Sequence, residues 1–410
     1  MRKISKLSLV AAVAVAGFST ANAQPLEEAI KNVDVSGSVV YRYDNFGDKE
    51  NSSYEHNKYK IGLGLTSKVN DYVKFNSRFL AAAPSASTGE FADLDAHKNP
   101  GNSGDLNPEL TLSHANFAFT GIQNTTVIAG KQGLTTPWTV AIDSDGNEQN
   151  GSGILALATV GPVTAGAGYF NQTNLDKSGN INGALKVTVK DLNGDSTNIG
   201  IDGGKNVYVG TLQADLSPVK LESWYLDLID TFDTYTLVAK ANFAPSADSK
   251  IGVEARYVSL TLDKDVQNAL SLDSDDNAMY RLTVTGNLGI FNAKVAYTGT
   301  DKDGGLTALD QDAENASLGW NITSNGVADA DYWQGVLGVN ILDNLNLSAN
   351  YGHLKSSDWD LKQEEAYAQL TYKMSKNLST YLRYGTYEEK WDGEKESDQT
   401  RGRLQVEYTF

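Results

Sequence analysis

The sequence predicts an all-β fold, with about 18 antiparallel strands closed into one barrel. Three observations predict it. Segments of about ten residues alternate apolar and polar side chains with period two. The links between those segments alternate between short and long. The chain also finishes on such a segment, "GRLQVEYTF", where Leu404, Val406, Tyr408 and Phe410 alternate with Arg403, Gln405, Glu407 and Thr409. In a closed barrel the last strand pairs with the first, so no edge is left over.

Ahead of the strands, Arg2, Lys3 and Lys6 precede an apolar run from Leu7 to Phe18 and then Ala21-Asn22-Ala23. A basic start, a short oily core and an A-x-A site read as a signal peptide over 1–23, cleaved before Gln24. That core is too short to span a bilayer as a helix. Residues 24–410 then form a single barrel domain.

The first strand, 33–43, sets Val33, Val35, Val39, Tyr41 and Tyr43 against Asp34, Ser36, Ser38 and Arg42. The second, 57–68, sets Tyr59, Ile61, Leu63 and Leu65 against Lys58, Lys60 and Thr66. The third, 71–82, sets Val73, Phe75, Ser77 and Phe79 against Lys74, Asn76 and Arg78. The same alternation predicts strands at 109–120, 124–132, 153–160, 162–171, 205–216, 218–229 and 233–244. It continues at 248–262, where Glu254 and Arg256 form the polar face, then at 278–287 and at 290–301, where Asn292 and Lys294 do. The last five strands are 331–341, 345–356, 363–374, 377–388 and 400–410. A β-sandwich also alternates, but its loops need not alternate in length and its inner face would be richer in Leu, Ile and Phe. Tyr outnumbers Phe and Trp together, 20 against 18, which suits aromatic girdles at a membrane interface.

Short links include Val69-Asn70-Asp71, Gly161-Pro162, Leu216-Ser217-Pro218, Leu342-Asp343-Asn344 and Ser375-Lys376-Asn377. The long set is 44–56, 83–108, 133–152, 172–204, 263–277, 302–330 and 389–399, and 230–232 is the one short link where a long one belongs. Short turns at one end and long loops at the other make the outer-membrane barrel pattern.

Composition removes several function classes. Cysteine is absent, which excludes a disulfide scaffold and thiol chemistry. The net charge of −17 becomes −20 once the three basic residues of the signal peptide are lost, which argues against nucleic acid. His56, His97, His114 and His353 show no zinc-like spacing and no supporting catalytic motif, so the chain does not read as an enzyme.

Three stretches carry a resemblance: "PLEEAIKNVDVSGSVVYRYD" at 25–44, "VIAGKQGLTTPWTVAID" at 127–143 and "RLQVEYTF" at 403–410. The chain resembles the major outer membrane porin family of Campylobacter-type bacteria. That resemblance implies an 18-stranded homotrimeric porin passing ions and small hydrophilic solutes by passive diffusion. It also implies that Phe410, with Tyr408, belongs to the signal read by the barrel-assembly machinery. After Asp143 the chain reads "SDGNEQNGSG", longer and more polar than the family pattern.

A wide barrel has a water-filled lumen lined by the polar strand faces. In porins of this type the third loop, here 133–152, folds inward. It carries Asp143, Asp145 and Glu148 together with Trp138, and no basic residue after Lys131. Strand parity points Arg42, Lys60, Lys74, Arg78, Arg383 and Arg403 into the lumen as a basic wall facing that acidic loop. Acid facing base predicts a transverse field across the eyelet, with cation selectivity from the loop carboxylates.

Further acids fall in expected outer loops: Asp263, Asp265, Asp273, Asp275 and Asp276; Asp310, Asp312 and Glu314; Glu389, Asp392, Glu394, Glu396 and Asp398. They would attract cations over a Debye length of about 8–10 Å and bind divalent ions that bridge lipopolysaccharide. Calcium at the constriction through Asp143 is one expectation. A second oxygen-rich loop offers Asp191, Asn193, Asp195, Thr197 and Asp202, without the glycine or final Glu of an EF-hand. Trp138 is read as packing rather than as a stacking platform for sugars. A substrate-specific channel for sugars or amino acids is the alternative function, and a surface adhesin an additional role.

Overall fold

A computed structural model describes residues 33–83, 90–93, 108–177, 186–190 and 196–410. The signal-peptide reading of 1–23, and His97, lie outside these residues.

Eighteen strands form the barrel. They are β1 (Val33–Asp48), β2 (Tyr54–Lys68), β3 (Val73–Ala82), β4 (Glu109–Phe119), β5 (Thr125–Gly133) and β6 (Asn150–Val160). Next come β7 (Val163–Thr173), β8 (Val207–Leu216), β9 (Val219–Leu228), β10 (Phe232–Ser246), β11 (Ser249–Leu262) and β12 (Asp276–Leu288). The last six are β13 (Phe291–Thr300), β14 (Ala330–Leu342), β15 (Leu345–Ser356), β16 (Leu361–Lys373), β17 (Leu378–Trp391) and β18 (Glu394–Thr409). Each pairs antiparallel with its chain neighbour, and β1 pairs antiparallel with β18. The barrel is closed. Each predicted strand overlaps an observed one.

Closure depends on a close approach. Gly37 and Phe410 exchange backbone hydrogen bonds of 2.9 and 3.1 Å. A Cβ on Gly37 would lie 2.3 Å from the Gly62 carbonyl and 2.8 Å from the Phe410 ring, so only glycine fits there.

Alternation sorts the two faces. Arg42 and Asp44 of β1 are buried within the lumen, whereas Val35, Val39 and Tyr41 of the same strand are exposed on the outside. Tyr169–Tyr208, Tyr235–Tyr257, Tyr280–Tyr297 and Tyr297–Trp333 ring pairs, 4.7–6.0 Å apart, lie toward the loop end. Phe75–Phe117 and Tyr408–Phe410 lie toward the turn end. Aromatics at both rims are the mark of a membrane-spanning barrel. Among the described residues no helix is long and apolar enough to cross a membrane.

Among the described residues, the expected long loops take three forms. At 389–399 there is almost no loop: β17 and β18 continue as a hairpin closed by Asp392 and Gly393, with φ of 49° and 78°. Asp-Gly with both φ positive is the tight two-residue turn that matches strand twist, and here it overrides the charge run. The first loop likewise shrinks to 49–53. Between β11 and β12 a helix forms, α1 (Lys264–Leu270), capped by the Asp263 carboxylate accepting from the Asp265 amide. Its Val266 is buried in the core. By contrast, 301–329 folds into the barrel.

Candidate functional site: a two-loop constriction

The third loop, 134–149, leaves β5 and returns to β6. Its first half is apolar. Leu134 and Trp138 pack with Phe170, Val209, Leu226 and Leu228 of the wall, and with Leu306 and Leu309 from the loop 301–329. Trp138 is fully buried and its indole Nε1 donates to Thr234 Oγ1 at 3.0 Å. No ring face is left for a solute.

The second half is polar and closes on itself. Asp143 Oδ1 accepts from the amides of Asp145 (2.9 Å) and Asn147 (2.7 Å), and Oδ2 accepts from Asn147 Nδ2 (2.8 Å). Gly146 supplies the positive φ, 92°. Five residues beyond Asp143, the fully buried Glu148 binds the wall. It accepts from Lys60 Nζ at 2.9 Å, Arg78 Nη2 at 2.8 Å and Ser113 Oγ at 2.6 Å. Arg42 donates to Asp145 Oδ1 at 2.9 Å and to the Ser144 carbonyl.

The expected face-off across an open eyelet is therefore not what these residues make. Arg42, Lys60 and Arg78 are bonded directly to the acidic loop and anchor it to β1, β2 and β3. Parity gave the direction of each side chain, but a long basic side chain beside an inward loop closes onto its carboxylate. Lys74 shares the Arg78 face of β3 but lies exposed toward the short-turn end, away from the constriction. Arg383 and Arg403 do line open space.

The loop 301–329 completes the constriction. Asp310, Asp312 and Glu314, expected in an outer vestibule, sit inside the barrel against the third loop. Leu306 and Leu309 pull this segment inward by burying apolar surface. The Leu309 amide donates to the Trp138 carbonyl at 2.8 Å, and Gln149 Nε2 donates to the Leu309 carbonyl at 2.8 Å. Asn315 Nδ2 donates to Thr236 Oγ1 (2.7 Å) and Arg281 Nη1 to the Ala316 carbonyl (2.8 Å). At its far end, the buried Glu365 of β16 accepts from the amides of Trp320 and Asn321, both at 2.8 Å.

Where the two loops meet, carboxylate oxygens of Asp143, Asp310 and Asp312 lie within 4.8 Å of one another. Asp310 is fully buried, and its Oδ2 has no hydrogen-bond partner. Burial, then the neighbouring Asp143 charge, pushes the Asp310 carboxyl up to about 8. Burial, reinforced by Asp312 and Asp145, raises Asp143 to about 6 despite its Asn147 hydrogen bond. Glu148 goes the other way. Burial alone would raise it, but Arg78, Lys60 and Ser113 together hold it below the usual range. Three clustered carboxylates with one oxygen unpaired must share protons or a cation. An all-oxygen set fits a hard divalent ion and supplies part of the six to eight oxygens that calcium takes.

Among the described residues, the second calcium-like loop offers only part of its candidate ligands. Asp191, Asn193 and Asp195 lie outside the described residues, and Asp202 accepts from the Gly204 amide at 2.6 Å.

Beside the loops lies a cavity of about 380 Å³. Asp312 and Glu314 line it from the loop, and Arg281, Lys294, Arg383 and Arg403 from the strands. Arg281 and Lys294 complete a wall that the basic residues of the first and last strands only began. Lys294 was legible, since it lies on the polar face of its predicted strand.

The family described as Campylobacter major outer membrane protein matches residues 1–410. Among curated proteins, none matches the chain. The fold is similar to solved structures from two other bacteria. Pseudomonas aeruginosa OccK8 (OprE) aligns at TM-score 0.69 and 16% identity, covering 93% of this chain and 98% of that one. Pseudomonas aeruginosa OpdL aligns at 0.70 and 14%, covering 93% and 99%. Acinetobacter baumannii OccAB1 aligns at 0.69 and 13%, covering 96% and 99%.

Proposed function

Because the chain belongs to the Campylobacter major outer membrane protein family, we propose that this outer-membrane channel is a cation-preferring diffusion porin whose eyelet is set by two loops joined through a divalent cation. Ions and small hydrophilic solutes pass beside the loops rather than through a ring of free acids. The observation that supports this reading is the meeting of Asp143, Asp310 and Asp312, with Asp310 Oδ2 buried and unpartnered. Calcium there would bridge the two loops and hold the eyelet at one width. The homotrimer, lipopolysaccharide contact and recognition of Tyr408 and Phe410 by the barrel-assembly machinery belong to the same reading. Phe410 sits at the barrel seam, paired to Gly37, where an assembly factor would meet the last strand.

The test is the reversal potential of the refolded protein in a planar bilayer under a KCl gradient, with and without a chelator. A potassium-favouring potential that strengthens on chelation is expected, because removing the ion frees carboxylates in the eyelet. A potential indifferent to chelation would remove calcium from the reading. An anion-favouring one would reverse the selectivity, and a silent bilayer would overturn the pore itself.

A further inference from the structure

We propose that the cavity beside the second loop is a recognition site for small zwitterions, solutes carrying one carboxylate and one ammonium such as free α-amino acids. The inference rests on the channel reading above and names the solute class that the eyelet favours.

The charges lining the cavity are unevenly matched. Arg281 is ion-paired with Glu254 at 2.9 Å and Arg403 is bonded to Asp44. Lys294 and Arg383 have no carboxylate within ion-pair distance among the described residues. Arg383 spends its Nε on Gln369 Oε1 at 2.8 Å, and its guanidinium lies 5.0–5.4 Å from the Trp320, Tyr367 and Tyr381 rings. Those rings fix the guanidinium without neutralising it, so its outer N–H donors are aimed and unspent. Two unmatched cations thus stand on the strand side.

Acids stand on the loop side. Glu314 keeps 57% of its side chain exposed while bonded to Arg256. Asp312 accepts from the Ser144 amide at 2.7 Å and still faces the cavity. A solute carboxylate docks on Arg383 and Lys294, and its ammonium turns toward Glu314 and Asp312. The volume falls at the small end of ligand-binding pockets, enough for an amino acid and some water. A dicarboxylate meets the loop acids and a dication meets the unmatched bases. An uncharged sugar gains from neither side.

Proteoliposomes holding the full-length refolded protein test this, with KCl conductance recorded in parallel. L-glutamine should enter at least about threefold faster than D-xylose, a neutral solute of similar bulk, and its entry should saturate with concentration. L-glutaminamide, which lacks the carboxylate, should lose the advantage. In K294Q/R383Q the ratio should fall to about one, whereas R383K should keep part of it and K74Q all of it. Equal entry of glutamine and xylose, with KCl conductance intact, would overturn the zwitterion site and leave the pore. A ratio that survives the double substitution would also overturn it. Absence of KCl conductance would take down the channel reading and this inference with it.

Discussion

Glu148 and Asp310 are both fully buried carboxylates in one constriction, and they stand in opposite electrostatic settings. Glu148 meets two cations and a hydroxyl at 2.6–2.9 Å, while Asp310 meets other carboxylates and keeps one oxygen empty. The first arrangement locks the third loop to β2, β3 and β4. The second makes the seam between the two loops depend on what neutralises it. Counting acids in a pore says little, because the partners decide whether a carboxylate anchors a loop or is free to bind a cation.

The anchor should break hardest. E148A leaves Lys60 and Arg78 buried without a counter-charge, a change that costs about 3–5 kcal/mol in buried pairs. A lower melting temperature and larger, noisier single-channel conductance are expected, because the third loop loses its hold on the wall. Unchanged conductance would mean that the apolar half, with Leu134 and Trp138, fixes the loop alone.

The seam should respond to pH with the opposite sign. Asp310 and Asp143 are raised from 3.8 to about 8 and about 6, so the folded state holds protons that the unfolded state has released. Without divalent ions, their contribution is therefore fully present below about pH 4 and is lost as pH rises toward about 8. Glu148 is lowered from 4.5, so its contribution is present above that value and is lost as pH falls further. Melting temperatures across pH in chelator should show both slopes, and D310N should flatten the first. Added calcium should restore stability at neutral pH in the native protein and much less in D310N. Equal calcium stabilisation in both would place the ion elsewhere.

The strands were legible because a one-residue slip would move a whole face from lipid to water. That same parity set the direction of Arg42, Lys60 and Arg78. It could not show that an inward loop would sit within hydrogen-bond reach of all three. The segment 302–330 was misplaced because Asp310, Asp312 and Glu314 look like any solvated acidic loop. Leu306, Leu309, Trp320 and Ile322 within it were the available signal, since a loop in water has no use for so many large apolar side chains. At 389–399 the Asp392-Gly393 pair was a readable turn. The charges of Glu389, Glu394, Glu396 and Asp398 outvoted it.

The smallest expected effect tests the far end of the second loop. Glu365 accepts the Trp320 and Asn321 amides, and Trp320 lies under three guanidiniums, those of Arg383, Arg401 and Arg403, at 5.0–5.9 Å. E365Q keeps one acceptor oxygen and replaces the other with a donor facing an amide donor. One buried hydrogen bond is lost and one N–H left unsatisfied, a cost of about 1–3 kcal/mol. The loop stays tied at Asn315 and at the aspartate seam, so the barrel should fold and conduct. What should change is noise: brief openings to a wider state as the 319–322 segment leaves β16, most frequent in chelator, where the seam is also weakened. If E365Q is as quiet as the native channel under those conditions, the arginine stack on Trp320 holds the loop without the carboxylate. Coupling between the two ends of the loop would then be absent, and the aspartate seam alone would set the width of the eyelet.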